Sequence, residues 1–209
     1  IDVLSGGRFI LGLGAGWQEN EHRAYGIPYY TLGERSARLD EAAHVITSLF
    51  QNDRSNFSGK YYQLENAPLQ PPTVQKPVPL LIGGVGEQKT LRTVAKYANE
   101  WNAQVMPDVY EEKVKVLEQH CAAVGRNSAD IHRSVQVVVA FSDNAGQVER
   151  ARSRGAALVG TAEEIRAQIE RYQAAGAQEI VIADFNLATL EEKKNTYDRL
   201  MEQVVPHFR

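Results

Sequence analysis

Three stretches of the sequence carry residue types whose spacing could do chemistry. The first is Gly12-Leu13-Gly14-Ala15-Gly16-Trp17, at the end of a short apolar run. Glycines at a strand end let backbone approach a flat ligand closely, and Trp17 adds a stacking face. A dinucleotide fingerprint needs a glycine three residues after its second one. Counted from Gly12 and Gly14, that place holds Trp17; counted from Gly14 and Gly16, it holds Glu19. The fingerprint fails in both registers. The run is either a ligand loop or a crowded strand end that tolerates only small residues, and spacing leaves both open.

The second stretch, Gly83-Gly84-Val85-Gly86-Glu87-Gln88-Lys89-Thr90, lies between an apolar run and a helical one. Successive N–H groups at such a turn, with the positive end of a helix behind them, suit an anion. No Gly-Lys-Ser/Thr triplet closes it, so it is not a Walker loop. Phosphate binding is favoured over a plain tight turn, and Lys89 and Arg92 are read as solvated charges. The third stretch, Trp17-Gln18-Glu19-Asn20-Glu21-His22, offers two carboxylates and an imidazole for acid–base work. A polar loop entering a helix explains it equally well. His120 and Cys121 do not read as a nucleophile pair, because Cys121 lies in an apolar stripe. No Gly-x-Ser-x-Gly elbow is present, against an α/β-hydrolase.

These residues need strands and helices to position them. Strands are expected at Phe9–Leu13, Val78–Ile82, Trp101–Met106, Ser134–Phe141 and Ile180–Phe185, each an apolar run of strand length. Helices are expected over Arg35–Phe50, Glu87–Asn99, Tyr110–Val124, Gln147–Arg154 and Glu191–Phe208. A further helix opens on a Thr161/Glu164 capping box and stops at Gly176. Five strands, each followed by a helix, mean parallel strands joined by crossovers, hence an α/β fold. An insertion at about 51–79 breaks the rhythm: a small hairpin around Ser58-Gly59, then a segment holding five of the eight prolines that must run extended. The 209 residues otherwise read as one domain.

Composition excludes several classes. A net charge of −3 with well-mixed signs gives no pull towards nucleic acid. No run of about 18 apolar residues suggests a membrane span. The single cysteine forbids an internal disulfide or a multi-cysteine metal site, and suits the reducing cytoplasm. The chain opens on Ile1, and 1–7 reads as the last turn of a helix with its glycine stop, so an N-terminal portion is expected to be missing.

Several motifs in order carry a family likeness. Leu4-Ser5-Gly6-Gly7-Arg8-Phe9-Ile10-Leu11-Gly12-Leu13-Gly14-Ala15-Gly16-Trp17 resembles the stretch through the fourth strand of luciferase-like monooxygenases. Tyr25-Gly26-Ile27-Pro28 and Arg35-x-x-Arg38-x-x-Glu41 are similar to that family's next loop and helix. Phe57-x-Gly59-Lys60-Tyr61-Tyr62 resembles its insertion. Pro79 through Gly86, Ala95-x-Tyr97-Ala98-x-x-Trp101-Asn102 and Gly160-Thr161-Ala162-Glu163-Glu164-Ile165 resemble its later βα units.

The likeness implies a TIM (β/α)8 barrel, here truncated at its N-terminus to about five parallel strands, acting as an oxidoreductase or monooxygenase on a small organic substrate. It implies FMN or coenzyme F420 in a mouth at the strands' carboxyl ends. Gly83, Gly84, Val85, Gly86 and Gln88 would line the cofactor's phosphate end, Gly14, Ala15 and Gly16 would border its ring, and Trp101 and Asn102 would flank it. Trp17, Glu19 and Glu21 would stand on the substrate side. No catalytic residue and no metal is named by it. F420 is expected ahead of FMN, because Ile82-Gly83-Gly84-x-Gly86-Glu87 with Thr90-Leu91-Arg92 is more like the deazaflavin-dependent members.

The three strands that precede Phe9 in the family are not in this sequence, which leaves a parallel edge open. Such edges invite pairing with another chain, so a homo-oligomer is expected. Two competing readings are a non-catalytic remnant with weak or no cofactor binding, and a nucleotide-binding open sheet.

Overall fold

Short apolar runs become strands in this chain and the stripes between them become helices. The structure, a computed structural model, describes residues 1–153, 155 and 157–208. In chain order its elements are α1 (Asp2–Ser5), β1 (Leu11–Leu13), α2 (Glu19–Ala24), α3 (Leu32–Gln51), β2 (Ser55–Ser58), β3 (Gln63–Ala67), β4 (Leu80–Gly83), α4 (Thr90–Tyr97) and β5 (Glu100–Ala103). Then follow α5 (Pro107–Ala123), β6 (His132–Phe141), α6 (Ala145–Ser153), β7 (Leu158–Gly160), α7 (Ala162–Ala174), β8 (Glu179–Ala183) and α8 (Leu190–Arg199). They pack as two compact units: Ile1–Asn102 with Val116–His132, and Ala103–Lys115 with Arg133–Arg209. Each unit takes two stretches of chain, so no shift in composition announces them in the sequence.

In the first unit β1, β4 and β5 run parallel, with Leu13 opposite Ile82 and Ile82 opposite Trp101. Leu80 and Ile82 are buried, as are Leu91, Val94 and Ala95 of α4 and Leu39 and Ala43 of α3. Burying each such leucine, isoleucine or valine contributes about 1.5–3 kcal/mol. The Thr31 hydroxyl starts α3 by accepting from the Glu34 N–H at 3.3 Å, a cap that lies four residues before the expected start. α4 begins at Thr90, three residues later than expected, because 87–89 turn and the Leu91 N–H reaches back to the Gly86 carbonyl at 3.0 Å. β1 and β5 are both shorter than expected, Leu11–Leu13 and Glu100–Ala103.

The insertion folds as an antiparallel β2–β3 pair, with a wider connection than the tight Ser58-Gly59 turn expected. The N–H groups of Lys60, Tyr61 and Tyr62 donate to the Glu41 carboxylate at 2.9, 2.8 and 3.1 Å. Desolvation alone would raise the Glu41 pKa, but these three donors outweigh it and hold the carboxyl below its ordinary value. The proline-rich run is tied down at Asp2, whose carboxylate accepts from the Val74 N–H (2.6 Å), the Gln75 N–H (3.1 Å) and the Gln75 side-chain amide (2.7 Å). The Leu11 N–H then donates to the Pro79 carbonyl at 3.0 Å, setting β1 beside β4.

In the second unit β6 is long enough to hold two parallel neighbours. Ser134–Val138 pair with β8, and Val139–Phe141 pair with β7. β7 is a sixth parallel strand that the sequence reading did not anticipate; three residues leave no alternation to detect. The Thr161/Glu164 capping box forms as expected. Tyr110 and Tyr172 meet edge to face at 5.6 Å inside this unit, and burial pushes the Tyr110 phenol up to about 12. The last helix does not run unbroken from Glu191 to Phe208: α8 ends at Arg199, a wider π-turn covers Leu200–Val204, and a 3-10 turn covers Val205–Phe208. α6 covers Ala145–Ser153; Arg154, the expected end of that helix, lies outside the described residues.

Candidate functional site

Parallel pairing brings the carboxyl ends of β1, β4 and β5 side by side, Gly83 opposite Asn102 and Leu13 opposite Ile82. The two glycine runs therefore leave neighbouring strands on the same side of the first unit, where α/β folds gather their sites. A Cβ added at Gly83 would sit 3.8 Å from the Leu13 carbonyl oxygen, which shows how close the two runs stand.

The loop after β4 is held from beneath. The Gly84 N–H donates to the Asn102 carbonyl at 3.1 Å, and the Trp101 indole N–H donates to the Gly84 carbonyl at 2.8 Å. Trp101 is fully buried, so it buttresses the loop and presents no open face. Gly84 has φ +123°, a conformation that side chains rarely adopt. A Cβ there would come within 3.2 Å of Thr90 Cγ2, and one at Gly86 within 2.9 Å of Thr90 Oγ1. The N–H groups of Val85 and Gly86 meet no acceptor among the described residues. Free amides, three glycines without side chains around Val85, and the positive end of the eight-residue α4 together make a cradle for an anion.

Gln88 and Lys89 stand at the lip of a cavity of about 180 Å³ between α3 and α4, lined also by Ser36, Asp40, Arg92 and Thr93. Lys89 is exposed, as expected, and its ammonium also donates to the Gly33 carbonyl at 3.1 Å. Asp40 in turn accepts from Thr93 at 2.9 Å and pairs with Lys96 at 3.2 Å, tying α3 to α4.

The loop after β1 is built differently. At Gly14 a Cβ would meet nothing within 4 Å, so the space over it is open. Gly16 has φ +76°, and a Cβ there would press on the His22 ring at 3.1 Å. Arg35 donates through Nε to the Gly16 carbonyl at 3.1 Å and through its guanidinium to the Tyr30 carbonyl. It also stacks 4.1 Å from the Tyr29 ring centroid. The Tyr29 hydroxyl donates to the Trp17 carbonyl at 3.1 Å, and His22 meets the Tyr29 ring edge to face. Trp17 itself is 75% exposed.

Most of the expected site residues thus converge in the first unit: Gly14, Ala15 and Gly16 on one loop, Gly83 to Gly86 on the next, and Asn102 beside them. In the acidic cluster Glu19 pairs with Arg23 at 3.0 Å on the exposed side of α2, and Glu21 lies exposed on the same helix. Among the described residues, no three His, Cys, Asp or Glu side chains converge as metal ligands, and no helix is long and apolar enough to cross a membrane. Tyr29 is a part of the site that local pattern does not mark, and Arg35 and Thr90, both within family-like motifs, take roles that spacing does not show. A contact across 19 residues, from Arg35 to Gly16, leaves no trace in spacing.

Fold and loops define a parallel α/β protein with its glycine-rich loops at the strand ends. The family model for luciferase-like monooxygenase matches residues 1–152, and the chain belongs to that family. It is 32% identical over 156 residues to an F420-dependent glucose-6-phosphate dehydrogenase of Kineococcus radiotolerans, covering 70% of this chain and 44% of that protein. It is 30% identical over 101 residues to an FMNH2-dependent dimethylsulfone monooxygenase of Pseudomonas putida, covering 48% and 28%. Its fold matches that of a coenzyme F420-dependent tetrahydromethanopterin reductase from Methanopyrus kandleri, with TM-score 0.76 at 18% identity, over 100% of this chain and 76% of that one. The chain spans less than half the length of the curated relatives it matches.

Proposed function

We propose that this chain is the cofactor-holding part of a luciferase-like oxidoreductase or monooxygenase, with the phosphate-bearing end of F420 or FMN on Gly83–Gly86. The observation that carries this reading is the cradle after β4, with its unpartnered Val85 and Gly86 amides, its three glycines and α4 behind it. Gln88 and Lys89 extend it towards the cavity between α3 and α4. The open space over Gly14 leaves room for a tricyclic ring against Gly14, Ala15 and Gly16, with Asn102 at its flank. Trp17 offers a face to that ring or to a small organic substrate, and Glu19 and Glu21 stand on the substrate side. The bound cofactor supplies the redox chemistry. The chain's own residues bind and orient it: amides neutralise the phosphate end, Trp101 and Asn102 hold the Gly84 peptide, and Arg35 holds the opposite loop. F420 is the preferred cofactor.

Titrating the purified chain with F420 and with FMN, followed by fluorescence, tests this. A saturable change with at least one of them is expected, and none with either would overturn it. That negative result would favour the second reading, a chain with the family's fold and no working cofactor site. The edge of β1 that faces away from β4 has no strand partner among the described residues, and we propose that copies of the chain associate there, in the cytoplasm. Light scattering that gave a stable monomer would refute the association.

A further inference from the structure

We propose that Arg35 is a positioning residue that sets where Trp17 stands over the site; this rests on the reading of the Gly14–Trp17 loop as a cofactor-ring border. Trp17 has an exposed indole, so its place depends on its backbone. A peptide group is planar. The plane before Trp17 Cα is fixed by the Gly16 carbonyl, which accepts from Arg35 Nε at 3.1 Å. The plane after it is fixed by the Trp17 carbonyl, which accepts from the Tyr29 hydroxyl at 3.1 Å. With both planes held, φ and ψ of Trp17 are held, and so is the direction of its Cα–Cβ bond.

Arg35 governs both planes. It binds the first directly and the second through the Tyr29 ring, on whose face its guanidinium lies at 4.1 Å. Its second donor, to the Tyr30 carbonyl, keeps the strap 29–30 from swinging away. Arg35 is itself anchored in the first turn of α3, behind the Thr31 cap. A planar guanidinium can donate along two edges and stack on a ring at once, whereas a lysine ammonium offers a point charge and no plane. Charge alone is therefore not enough.

The test uses Arg35→Lys, Arg35→Met and Tyr29→Phe in the full chain. Tyr29→Phe removes one hydrogen bond and keeps the stack, so it remains informative if Arg35→Met folds poorly. Backbone NMR order parameters over 14–18 are expected to fall from the rigid range of about 0.85 to below about 0.6 in both Arg35 variants and less in Tyr29→Phe, with those of β4 and α3 unchanged. Affinity for the cofactor that the parent chain binds should fall about tenfold in both Arg35 variants. Unchanged order parameters in Arg35→Met, or restoration of order and affinity by Arg35→Lys, would overturn the proposal. A parent chain that binds neither cofactor, yet loses order in 14–18 on losing Arg35, would sink the functional reading while leaving the positioning role intact.

Discussion

Replacing Gly86 by alanine separates a cradle for a ligand from a turn that is merely tight. The new methyl would lie 2.9 Å from Thr90 Oγ1, and its next neighbours would be Thr90 Cβ at 3.5 Å and the Thr90 amide nitrogen at 3.9 Å. Only the hydroxyl is too close; the other two are ordinary contacts. The folded state must therefore turn Thr90 off its preferred rotamer, at a cost of about 1 kcal/mol. For a chain of this size that lowers Tm by about 2–4 °C. Thr90→Ala removes the offending hydroxyl, so the double variant Gly86→Ala/Thr90→Ala should regain the stability of Thr90→Ala alone. Cofactor affinity should behave otherwise. On the phosphate assignment the methyl beside the Gly86 amide crowds the anion even without the Thr90 hydroxyl, so affinity falls at least about tenfold, the worth of one or two blocked amide contacts, and the second substitution does not restore it. Thermal melts and fluorescence titrations of the four proteins in this cycle make the comparison. If affinity returns with stability in the double variant, Gly86 serves only the turn and the phosphate assignment fails.

Two further substitutions probe the frame that holds the loops. Glu41→Gln should weaken the β2–β3 connection and flatten the acid limb of the stability curve. The folded carboxyl titrates below its ordinary 4.5, so its contribution is present above that value and is lost as pH falls through the lowered one; urea melts across the acid range check this, and an unchanged acid limb would be the contrary result. Thr161→Ala removes one half of the capping box of α7 and should cost about 1 kcal/mol in urea denaturation, with no change in affinity for either cofactor.

The sequence made the βα rhythm legible because burial dictates it. Val135, Val137 and Val139 could be placed in a strand since β-branched residues pack on a pleated surface, and all three are buried in β6. Thr161 and Glu164 announced α7 because capping is local chemistry. What stayed hidden was set by contacts distant in the chain. β7 forms because β6 runs on past β8 and leaves an edge to pair, which three residues at 158–160 cannot signal. Trp101 could be assigned to the site by likeness, but only packing decides that its indole points down to the Gly84 carbonyl and not out to a ligand. Glu41, Asp2 and Arg35 each satisfy backbone groups 19 or more residues away, and their charged side chains look in sequence like any solvated surface.

The two glycine runs look alike as strings, yet the structure frames them differently. Both leave backbone amides without acceptors among the described residues. After β1, the carbonyls of Gly16 and Trp17 are taken by Arg35 and Tyr29, and the helix that follows has only six residues. After β4, Gly84 is bonded at both its N–H and its carbonyl, and the next two amides stand in front of an eight-residue helix. An anion gains from unspent donors together with a helix dipole that it can neutralise, and the longer helix stands behind the second loop. The first has open space over Gly14 and a braced aromatic. The proposed orientation, ring to β1 and phosphate to β4, rests on that difference in what stands behind and over each loop, and not on the glycine count.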